Sequence, residues 1–369
     1  MRISMLGSLP PTKGVSPYCL GLVSGVTKNY EVDFYGFKSI YPKFLYPAGK
    51  TETNEKQPKM KNLAIKNYLT WYNPFSWLKV GFGVDSKVLH AQWWSWFLAP
   101  IYLTVMSIAK LRGKRTVLTV HNVSPHERAF WKKWLNSSVI SLAAEYIVHS
   151  EHNKKVFAKK LGNHKKINVF PHGTIEMAQP KESRDKLRKK YGFKKGDNVL
   201  LFFGVIRDYK GLDNLLKALS KTPKSFKLVV AGNPWGGFEK YDKMIKKLKL
   251  KDRVHLFLGY NPDKKVAELF KSSDLFVLPY KQFEAASGAG TVGINFGRAM
   301  VVTKVGSLPE LVKDKKVVAT PKNSDDLAKK IIYAIKNKKK LEKESVEKAR
   351  EFAWDTIAKK MKLRGVYGG

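Results

Sequence analysis

The chain has one cysteine, relatively few acidic side chains and no long apolar run. Cys19 alone excludes an internal disulfide and a cysteine-rich zinc site, which fits a reducing compartment. The longest apolar run, Phe97 to Ala109, has 13 residues, whereas a helix that spans a bilayer needs roughly 20. The first residues, MRISMLGSLPP, break too early for a secretory leader. We therefore expect neither a transmembrane helix nor a signal peptide.

The charge is strongly positive and is spread over both halves of the chain. There are 69 Lys and Arg residues against 30 Asp and Glu residues, a net charge of +39. Two interpretations are open: a lysine-rich, solvated surface, or a face that contacts anionic membrane lipid, where each basic residue contributes about 1 kcal/mol. Nucleic-acid binding is disfavoured because the sequence lacks helix-turn-helix, zinc-finger and RNP-like motifs.

The hydrophobic pattern predicts two α/β domains. Short runs rich in Val, Ile, Leu and Phe alternate with longer amphipathic stretches, which is typical of parallel sheets wound with helices. This alternation occurs twice within 369 residues, so we predict two tandem Rossmann-like, doubly wound domains that face a cleft. The expected segments are an N-terminal domain at 1–175, a linker at 176–197, a C-terminal domain at 198–345 and a final helix at 346–369.

Two predicted strand-to-helix turns have the composition of anion-binding loops. In the first domain, GSLPPTKG ends at Gly14 shortly before a helix, and glycine lets backbone N–H groups approach a ligand closely. In the second domain, FFGVIRDYKG places Arg207 and Lys210 just before a helix that opens at Gly211. Two cations and a helix dipole at this point suit a diphosphate, although an exposed turn with ordinary surface cations has the same composition.

The order of motifs resembles glycosyltransferase family 4, which has the two-domain GT-B fold. In the C-terminal half the resemblance lies in FFGVIRDYKGLDNLLKAL, LVVAGN, SSDLFVLPY and SGAGTVGINFGRAMVVTKVGSLPEL. In the N-terminal half it lies in PPTKG, VLHAQWW, LTVHNVSPHE and FPHG. The resemblance implies an N-terminal acceptor-binding domain, a C-terminal nucleotide-sugar-binding domain and a last helix that crosses back to the first domain.

The resemblance also implies an activity. Family members transfer a hexose from a nucleotide diphosphate sugar, here expected to be UDP- or GDP-linked, to a glycan or lipid-linked acceptor, with retention at the anomeric carbon. They need no metal or other cofactor, and this sequence contains no Asp-x-Asp triplet of the kind that bridges a metal to a diphosphate. The expected setting is synthesis of polysaccharide, glycolipid or glycoprotein glycan in the cytoplasm, at the inner face of the cell membrane.

Site residues follow from the matched motifs. The resemblance assigns the diphosphate to Lys210, with Arg207 in place of the family arginine because Val205 occupies the usual position. It implies catalytic roles for His121, Glu284 and Lys210. The remaining donor-binding residues are expected to be Gly14, Leu258, Gly259, Tyr260, Ser287 and Gly288, and the acceptor-side residues His90, His126 and Glu127.

The chain departs from the common family pattern at one carboxylate. The usual motif has two glutamates eight residues apart, and here Glu284 is followed by Val292. The resemblance assigns Glu284 to the donor-sugar hydroxyls and leaves the ribose without its carboxylate partner, a loss of roughly 1.5 to 3 kcal/mol unless a neighbour compensates.

Two other classes of function fit the same sequence. One is a nucleotide-sugar epimerase of the same fold, which would act without an acceptor. The other is a basic protein with an inactive transferase scaffold that binds membrane or nucleic acid. The aromatic segments NYLTWYNPFSWLKVGFGV and FWKKWL are interpreted as packed helices and turns or, alternatively, as an interfacial patch at a membrane.

Overall fold

The computed structural model describes residues 1–42, 56–122, 130–161 and 166–368. The chain divides into two compact units. Unit 1 comprises Met1–Gly173 and Ala353–Gly369, and unit 2 comprises Thr174–Phe352. Each unit contains one parallel sheet with surrounding helices. The predicted α/β class with two Rossmann-like domains is confirmed.

Unit 1 contains a seven-stranded sheet with the order β3-β2-β1-β4-β5-β6-β7. Its strands are β1 (Arg2–Leu6), β2 (Glu31–Ser39), β3 (Leu63–Thr70), β4 (Val88–Trp93), β5 (Arg115–Val120), β6 (Glu145–Val148) and β7 (Lys166–Val169). Its helices before the last one are α1 (Ser16–Val26), α2 (Pro74–Gly83), α3 (Ala99–Leu111), α4 (Phe130–Ser141) and α5 (Glu151–Leu161).

Unit 2 contains a six-stranded sheet with the order β10-β9-β8-β11-β12-β13. Its strands are β8 (Asn198–Phe203), β9 (Phe226–Gly232), β10 (Val254–Leu258), β11 (Leu275–Leu278), β12 (Ala299–Thr303) and β13 (Val318–Ala319). Its helices are α6 (Arg184–Lys190), α7 (Leu212–Ser220), α8 (Glu239–Lys247), α9 (Asp263–Ser272), α10 (Gly288–Asn295), α11 (Ser324–Lys336) and α12 (Lys338–Glu351). The strand order reverses beside β1 in unit 1 and beside β8 in unit 2, where doubly wound sheets bind ligands.

The apolar pattern explains why the second sheet forms. The central strand β8 reads NVLLFF, and its four middle residues are buried. A strand that is apolar on both faces requires helices on both sides. Helix α7 supplies one of these, because its buried leucines at 212, 215, 216 and 219 recur at helical spacing.

The last helix, α13 (Trp354–Leu363), belongs to unit 1 and packs against α1. The Trp354 indole fills the space over Gly21 and Gly173. A Cβ atom at Gly21 would lie 1.9 Å from Trp354 Nε1, and one at Gly173 would lie 2.3 Å from Trp354 Cε2. The return of the last helix to the first unit is what the resemblance implied.

The expected linker at 176–197 differs from the structure. This segment lies within unit 2 and contains α6, whose basic side chains pair with buried carboxylates. Arg188 lies 3.0 Å from Asp274, and Lys190 lies 2.5 Å from Glu268. The polar composition that suggested a linker is therefore that of an ion-paired helix. The second unit also extends to Phe352, beyond the expected boundary at 345.

Asp274 is the centre of this ion-pair network. Burial opposes its ionisation, but hydrogen bonds from Lys338 and from the Val199 N–H, with the positive charge of Arg184, lower its pKa to about 2. The carboxylate therefore stabilises the fold above the pKa of an unfolded aspartate, and this contribution is lost as the pH falls towards 2.

We expect Asp274→Asn to lower the free energy of unfolding by about 3 kcal/mol at pH 7, because Arg188 would remain buried without its partner. Urea unfolding measures this. Asp325→Asn is the matched control, since it breaks an exposed pair with Lys221, and it should change stability little. Equal effects of the two substitutions would contradict a structural role for the buried network.

Candidate active site

The turn after β8 brings Lys210 to the carboxyl end of the unit 2 sheet. The chain turns at Gly204 (φ 110°), passes through a single 3-10 turn at Asp208–Lys210 and starts α7 after Gly211 (φ 71°). A Cβ atom at Gly211 would lie 2.0 Å from the carbonyl oxygen of Pro279. Only glycine permits this left-handed, close-packed turn, so the sequence KG fixes where Lys210 is held.

Lys210 is a buried ammonium without a protein partner. Its side chain is 9% exposed, and its Nζ lies 5.5 Å from the centroid of the Tyr280 ring. Within the described residues it makes no hydrogen bond or ion pair. Burial first, and then the charge of Arg207, lower its pKa to about 8. Because burying an unpaired charge is costly, such a residue is a candidate for binding an anion.

Arg207 stacks on the Trp235 ring, a contact that the sequence did not indicate. Its guanidinium carbon is 4.2 Å from the centroid of the Trp235 ring, and Trp235 is 52% exposed. The loop after β9, which carries Trp235, is bonded to the loop after β8, since the Trp235 N–H donates to Ile206 O at 2.9 Å. Stacking on an indole holds a guanidinium in a defined direction while leaving its N–H groups for a ligand.

Glu284 lies in the segment that follows β11 and is half-buried. The neighbouring Phe283 ring is stacked 6.2 Å from Tyr209 and lies 5.2 Å from Tyr280. Since Tyr280 also lies beside the Lys210 ammonium, these aromatic rings join the Lys210 turn to the Glu284 segment. On the other side, Ser307 Oγ donates to the Ala285 carbonyl at 3.1 Å. The structure therefore brings these two predicted site residues into one packed region.

Ser287 and Gly288 form the start of α10. The Ser287 hydroxyl oxygen accepts a hydrogen bond from the Gly290 N–H at 3.1 Å, which makes Ser287 the N-cap. Val292, where the common family motif has its second glutamate, is 2% exposed and belongs to the core of unit 2. Position 292 is therefore a packing position in this chain, and α10 offers the ribose no carboxylate there.

The residues expected to recognise the base lie at the end of the edge strand β10, whose last residue is Leu258. Leu258 and Tyr260 are 41% and 86% exposed, and the Gly259 N–H donates to the Gly232 carbonyl at 3.0 Å. They lie at the carboxyl end of this sheet, as predicted from the sequence.

In unit 1, the Gly14 loop leads into α1. Gly14 has a φ of 106°, and the following Val15 N–H donates to Ser8 Oγ at 3.1 Å. No side chain caps the first turn of α1. The predicted anion-binding geometry of a glycine followed by a helix N-terminus is present in this loop.

His121 directly follows β5 and is hydrogen-bonded through both ring nitrogens. Nε2 lies 3.2 Å from Gln92 Oε1, and Nδ1 lies 3.2 Å from His149 Nε2. The Tyr18 ring meets the imidazole edge-on, with centroids 4.6 Å apart. Burial first, and then the charges of His149 and His172, lower the pKa of His121 well below its usual value. His121 is therefore neutral at physiological pH.

His90 requires a correction. It lies in the middle of β4, is 0% exposed and contacts Tyr367 OH at 2.9 Å and Thr119 Oγ1 at 2.7 Å. Burial lowers its pKa to about 3. It is an interior hydrogen-bonding residue and not an acceptor-side residue, because β4 is buried on both faces. His126 and Glu127, the other two acceptor-side predictions, lie outside the described residues.

Comparison with known proteins identifies the second unit. Residues 183–352 match the family model for glycosyl transferases group 1. This part of the chain is therefore similar to group 1 glycosyl transferases. The matched segment occupies nearly all of unit 2, including Lys210 and Glu284.

Curated relatives of this chain are named as glycosyltransferases. An uncharacterized glycosyltransferase of Methanocaldococcus jannaschii is 27% identical over 48% of this chain and 47% of its own length. A lipopolysaccharide 1,2-N-acetylglucosaminetransferase of Salmonella typhimurium is 25% identical over 59% of this chain and 60% of its own. The lipopolysaccharide glucosyltransferase WaaG of Escherichia coli is 31% identical over 39% of each chain. The chain thus spans about half the length of the curated relatives it matches.

Solved structures resemble the whole chain in fold. Anabaena Alr3699/HepE in complex with UDP and glucose has a TM-score of 0.70 at 18% identity, covering 99% of both chains. Sucrose-phosphate synthase from Thermosynechococcus elongatus has a TM-score of 0.73 at 15% identity, covering 99% of both chains. The predicted GT-B fold, with two Rossmann-like domains, is confirmed.

The unpaired charge of Lys210 has a measurable effect on stability. Its pKa of about 8 lies below the 10.5 of an exposed lysine, so the unfolded chain binds more protons between these pH values. Stability should therefore rise as the pH increases from 8 to 10.5. We expect Lys210→Met to remove this rise and to stabilise the ligand-free protein below pH 8 by about 1 to 3 kcal/mol.

Denaturant unfolding across this pH range measures the effect. Lys217→Met is the matched control, because Lys217 lies on α7 with its side chain exposed, and its replacement should leave the curve unchanged. A loss of stability in Lys210→Met below pH 8 would show that the ammonium has a structural partner.

Proposed function

We propose that the protein is a retaining, metal-independent glycosyltransferase that moves a hexose from a nucleotide diphosphate sugar to a glycan or lipid-linked acceptor. The observation that carries the proposal is the buried, unpartnered Lys210 ammonium at the carboxyl end of the β8 strand. Because none of the described residues supplies a counter-charge, the proposed partner is an anionic ligand. A diphosphate fits this position, with Arg207 exposed on the Trp235 ring beside it.

Cleavage of the bond between the anomeric carbon and the diphosphate increases the negative charge on the departing group. A cation that is already in place stabilises this charge more in the transition state than in the bound donor. Lys210 meets this requirement because the turn at Gly211 fixes its backbone and its ammonium lies beside the Tyr280 ring before any ligand arrives. The N–H groups at the start of α10, next to Ser287, add fixed dipoles of the same sign.

Glu284 is proposed to accept hydrogen bonds from the donor-sugar hydroxyls, and His121 to contribute a positioned neutral ring beside the sugar. With both ring nitrogens already bonded, His121 is poorly suited to accept the acceptor's proton. In the proposed step the acceptor oxygen bonds to the anomeric carbon as the phosphate oxygen leaves. The departing phosphate oxygen then takes the proton, which balances the reaction without a metal or another cofactor.

The names of similar proteins support the substrate classes. Two curated relatives are named for sugar transfer to lipopolysaccharide, and solved structures with the same fold contain UDP or UDP-glucose. We therefore propose a UDP-linked donor ahead of a GDP-linked one, and a glycan or glycolipid acceptor. Gly14 and the segment Leu258 to Tyr260 are proposed to bind the donor's phosphate and base.

Ligand-dependent thermal unfolding tests the donor site. UDP at about 100 times its dissociation constant should add about 2.7 kcal/mol and raise the midpoint by several degrees, whereas ADP should have little effect. The Lys210→Ala protein should lose this rise, and the exposed-lysine control Lys217→Ala should keep it. An equal response of wild type and Lys210→Ala to UDP would contradict the proposed diphosphate site.

Turnover distinguishes Glu284 from Lys210. Glu284→Gln should keep the stabilisation by UDP, which lacks the sugar, but should lose transfer from the complete nucleotide sugar.

Two outcomes would support the alternative functions. Consumption of a nucleotide sugar without any acceptor would support the epimerase. Selective binding of anionic lipid or nucleic acid without nucleotide binding would support an inactive scaffold.

An exposed apolar face on α2 supports contact with a membrane surface. Phe75, Leu78 and Phe82 lie on one side of this helix and are 79%, 40% and 61% exposed. Lys79 lies on the same helix with its Nζ 4.4 Å from the centroid of the Tyr68 ring. Aromatic side chains flanked by lysine suit the headgroup region of an anionic bilayer. No helix in the described ranges is long and apolar enough to cross a bilayer.

Sedimentation with vesicles that contain phosphatidylserine tests this contact. The double substitution Phe75→Ser with Phe82→Ser should reduce the bound fraction strongly, and added salt should weaken binding of the wild type because the lysine contribution is screened. Leu363→Ser, which removes one exposed apolar side chain from α13, is the matched control. Unchanged sedimentation of the double variant would exclude this face.

A further inference from the structure

A continuous row of hydrogen-bonded side chains crosses the interior of unit 1. It starts at Tyr367, passes through His90, Gln92 and His121, and ends at His149. The contacts are Tyr367 OH to His90 Nδ1 at 2.9 Å, His90 Nε2 to Gln92 Nε2 at 3.1 Å, Gln92 Oε1 to His121 Nε2 at 3.2 Å, and His121 Nδ1 to His149 Nε2 at 3.2 Å. His149 Nδ1 then lies 3.2 Å from the carbonyl oxygen of Phe170.

The Phe170 carbonyl fixes the direction in which the hydrogen bonds of this row are donated. A carbonyl oxygen only accepts, so His149 Nδ1 must carry a hydrogen. His149 is 6% exposed, no described carboxylate pairs with it, and burial lowers its pKa to about 3, so its ring is neutral. A neutral ring with a hydrogen on Nδ1 has a lone pair on Nε2. His149 Nε2 therefore accepts a hydrogen bond from His121 Nδ1.

The same reasoning continues along the row. Since neutral His121 has its hydrogen on Nδ1, its Nε2 is an acceptor, and the facing group of Gln92 must be the amide NH₂. The oxygen and nitrogen of a glutamine amide exchange on a half-turn, and the hydrogen-bond network decides between them. In that orientation the Gln92 oxygen faces His90 Nε2, so this nitrogen carries the hydrogen and donates towards Gln92 and Thr119 Oγ1, which lie 3.1 Å and 2.7 Å away. His90 Nδ1 then accepts from the Tyr367 hydroxyl.

The reverse direction is unfavourable. If His121 donated from Nε2 to the Gln92 oxygen, its Nδ1 would accept from His149 Nε2. His149 Nδ1 would then either face the Phe170 carbonyl without a hydrogen or belong to a buried imidazolium. Both arrangements carry the cost of an unsatisfied or charged group in the interior.

We propose that His149 is a positioning residue that holds His121 as the Nδ1–H tautomer, with the Nε2 lone pair of His121 directed to Gln92. The consequence of this His121 tautomer for substrate recognition rests on the proposed function. A donor-sugar hydroxyl that takes the place of the Gln92 amide must donate a hydrogen bond to His121 Nε2. The site thereby selects a hydroxyl at this position over a group that only accepts hydrogen bonds.

The tautomer can be observed without substrate. Full-length protein with ¹⁵N-labelled histidine is recorded at pH 7.5 by two-bond ¹H–¹⁵N correlation, and His121 is assigned from the signals lost in His121→Gln. We expect a pyrrole-type shift for His121 Nδ1 and a pyridine-type shift for Nε2. The opposite assignment, or an imidazolium pattern, in the wild type would overturn the proposal.

Three variants test the cause. His149→Phe keeps a ring but removes the acceptor, so the His121 signals should average or reverse. Gln92→Glu replaces a donor with an acceptor, so the hydrogen of His121 should move to Nε2 or be present on both nitrogens. His172→Phe is the matched control, because His172 lies in the same cluster without a hydrogen bond to His121, and it should leave the pattern unchanged.

An unchanged His121 pattern in His149→Phe would reject the positioning role, provided that the variant keeps the wild-type circular dichroism. If that variant does not fold, the wild-type spectrum and Gln92→Glu decide the proposal. Because the spectra need no nucleotide sugar, they also separate the two proposals: a protein with the expected tautomer and no transfer activity would refute the function and leave the positioning role intact.

Discussion

Parallel strand pairing is the constraint on which this structure depends. Every pairing between named strands in the two sheets is parallel among the described residues. After each strand the chain must therefore return to the start of the sheet, so every strand-to-helix turn of a unit lies at the carboxyl end of its sheet. The turns that carry Lys210, Glu284 and, in the other unit, His121 all lie at this end of their sheets. The positions of the site residues follow from the pairing before any ligand is considered.

Within unit 2, Lys210 and Lys281 show how the fold separates an ammonium without a described counter-charge from one that is ion-paired. Lys281 lies 3.0 Å from both Asp208 and Asp213, and its carboxylate partners raise its pKa despite partial burial. Lys210 is in the same region but faces Tyr280 and the backbone of Gly204, and its pKa falls. In a chain with a net charge of +39, composition does not distinguish the two residues. The two lysines are distinguished only by whether a carboxylate lies beside the ammonium.

The sequence predicted those features that depend on local pattern. The repeated alternation of apolar runs and amphipathic stretches was sufficient for the two doubly wound sheets, and the motif order was sufficient for the Lys210 and Glu284 turns. It was insufficient where the partner is distant in the chain. The segment around Arg188 resembles a linker unless Asp274, 86 residues later, is known to be buried beside it.

The errors in unit 1 have the same physical origin. His90 and Gln92 are two residues apart on β4 and therefore share one face, but nothing local shows that this face is interior. This face is interior because Gln92 pairs with Thr119 on β5 and because Tyr367, near the end of the chain, contacts His90. His149 in unit 1, like Trp235 in unit 2, was missed because its importance comes from a contact with a distant residue, His121 for His149 and Arg207 for Trp235, which no spacing in the sequence indicates.

The last helix connects these observations, because it supports the histidines from the far end of the sequence. The Tyr18 ring lies 4.6 Å from His121 and 5.0 Å from His149, and it also contacts Trp354 of α13 at 5.0 Å. Trp354 can take this position only because Gly21 and Gly173 have no side chains. Tyr367, which follows α13, closes the other end of the hydrogen-bonded row at His90. Residues 353–369 thus belong to unit 1 by packing, and they contact the histidine cluster through Trp354, which packs on Tyr18, and through the Tyr367 hydroxyl at His90.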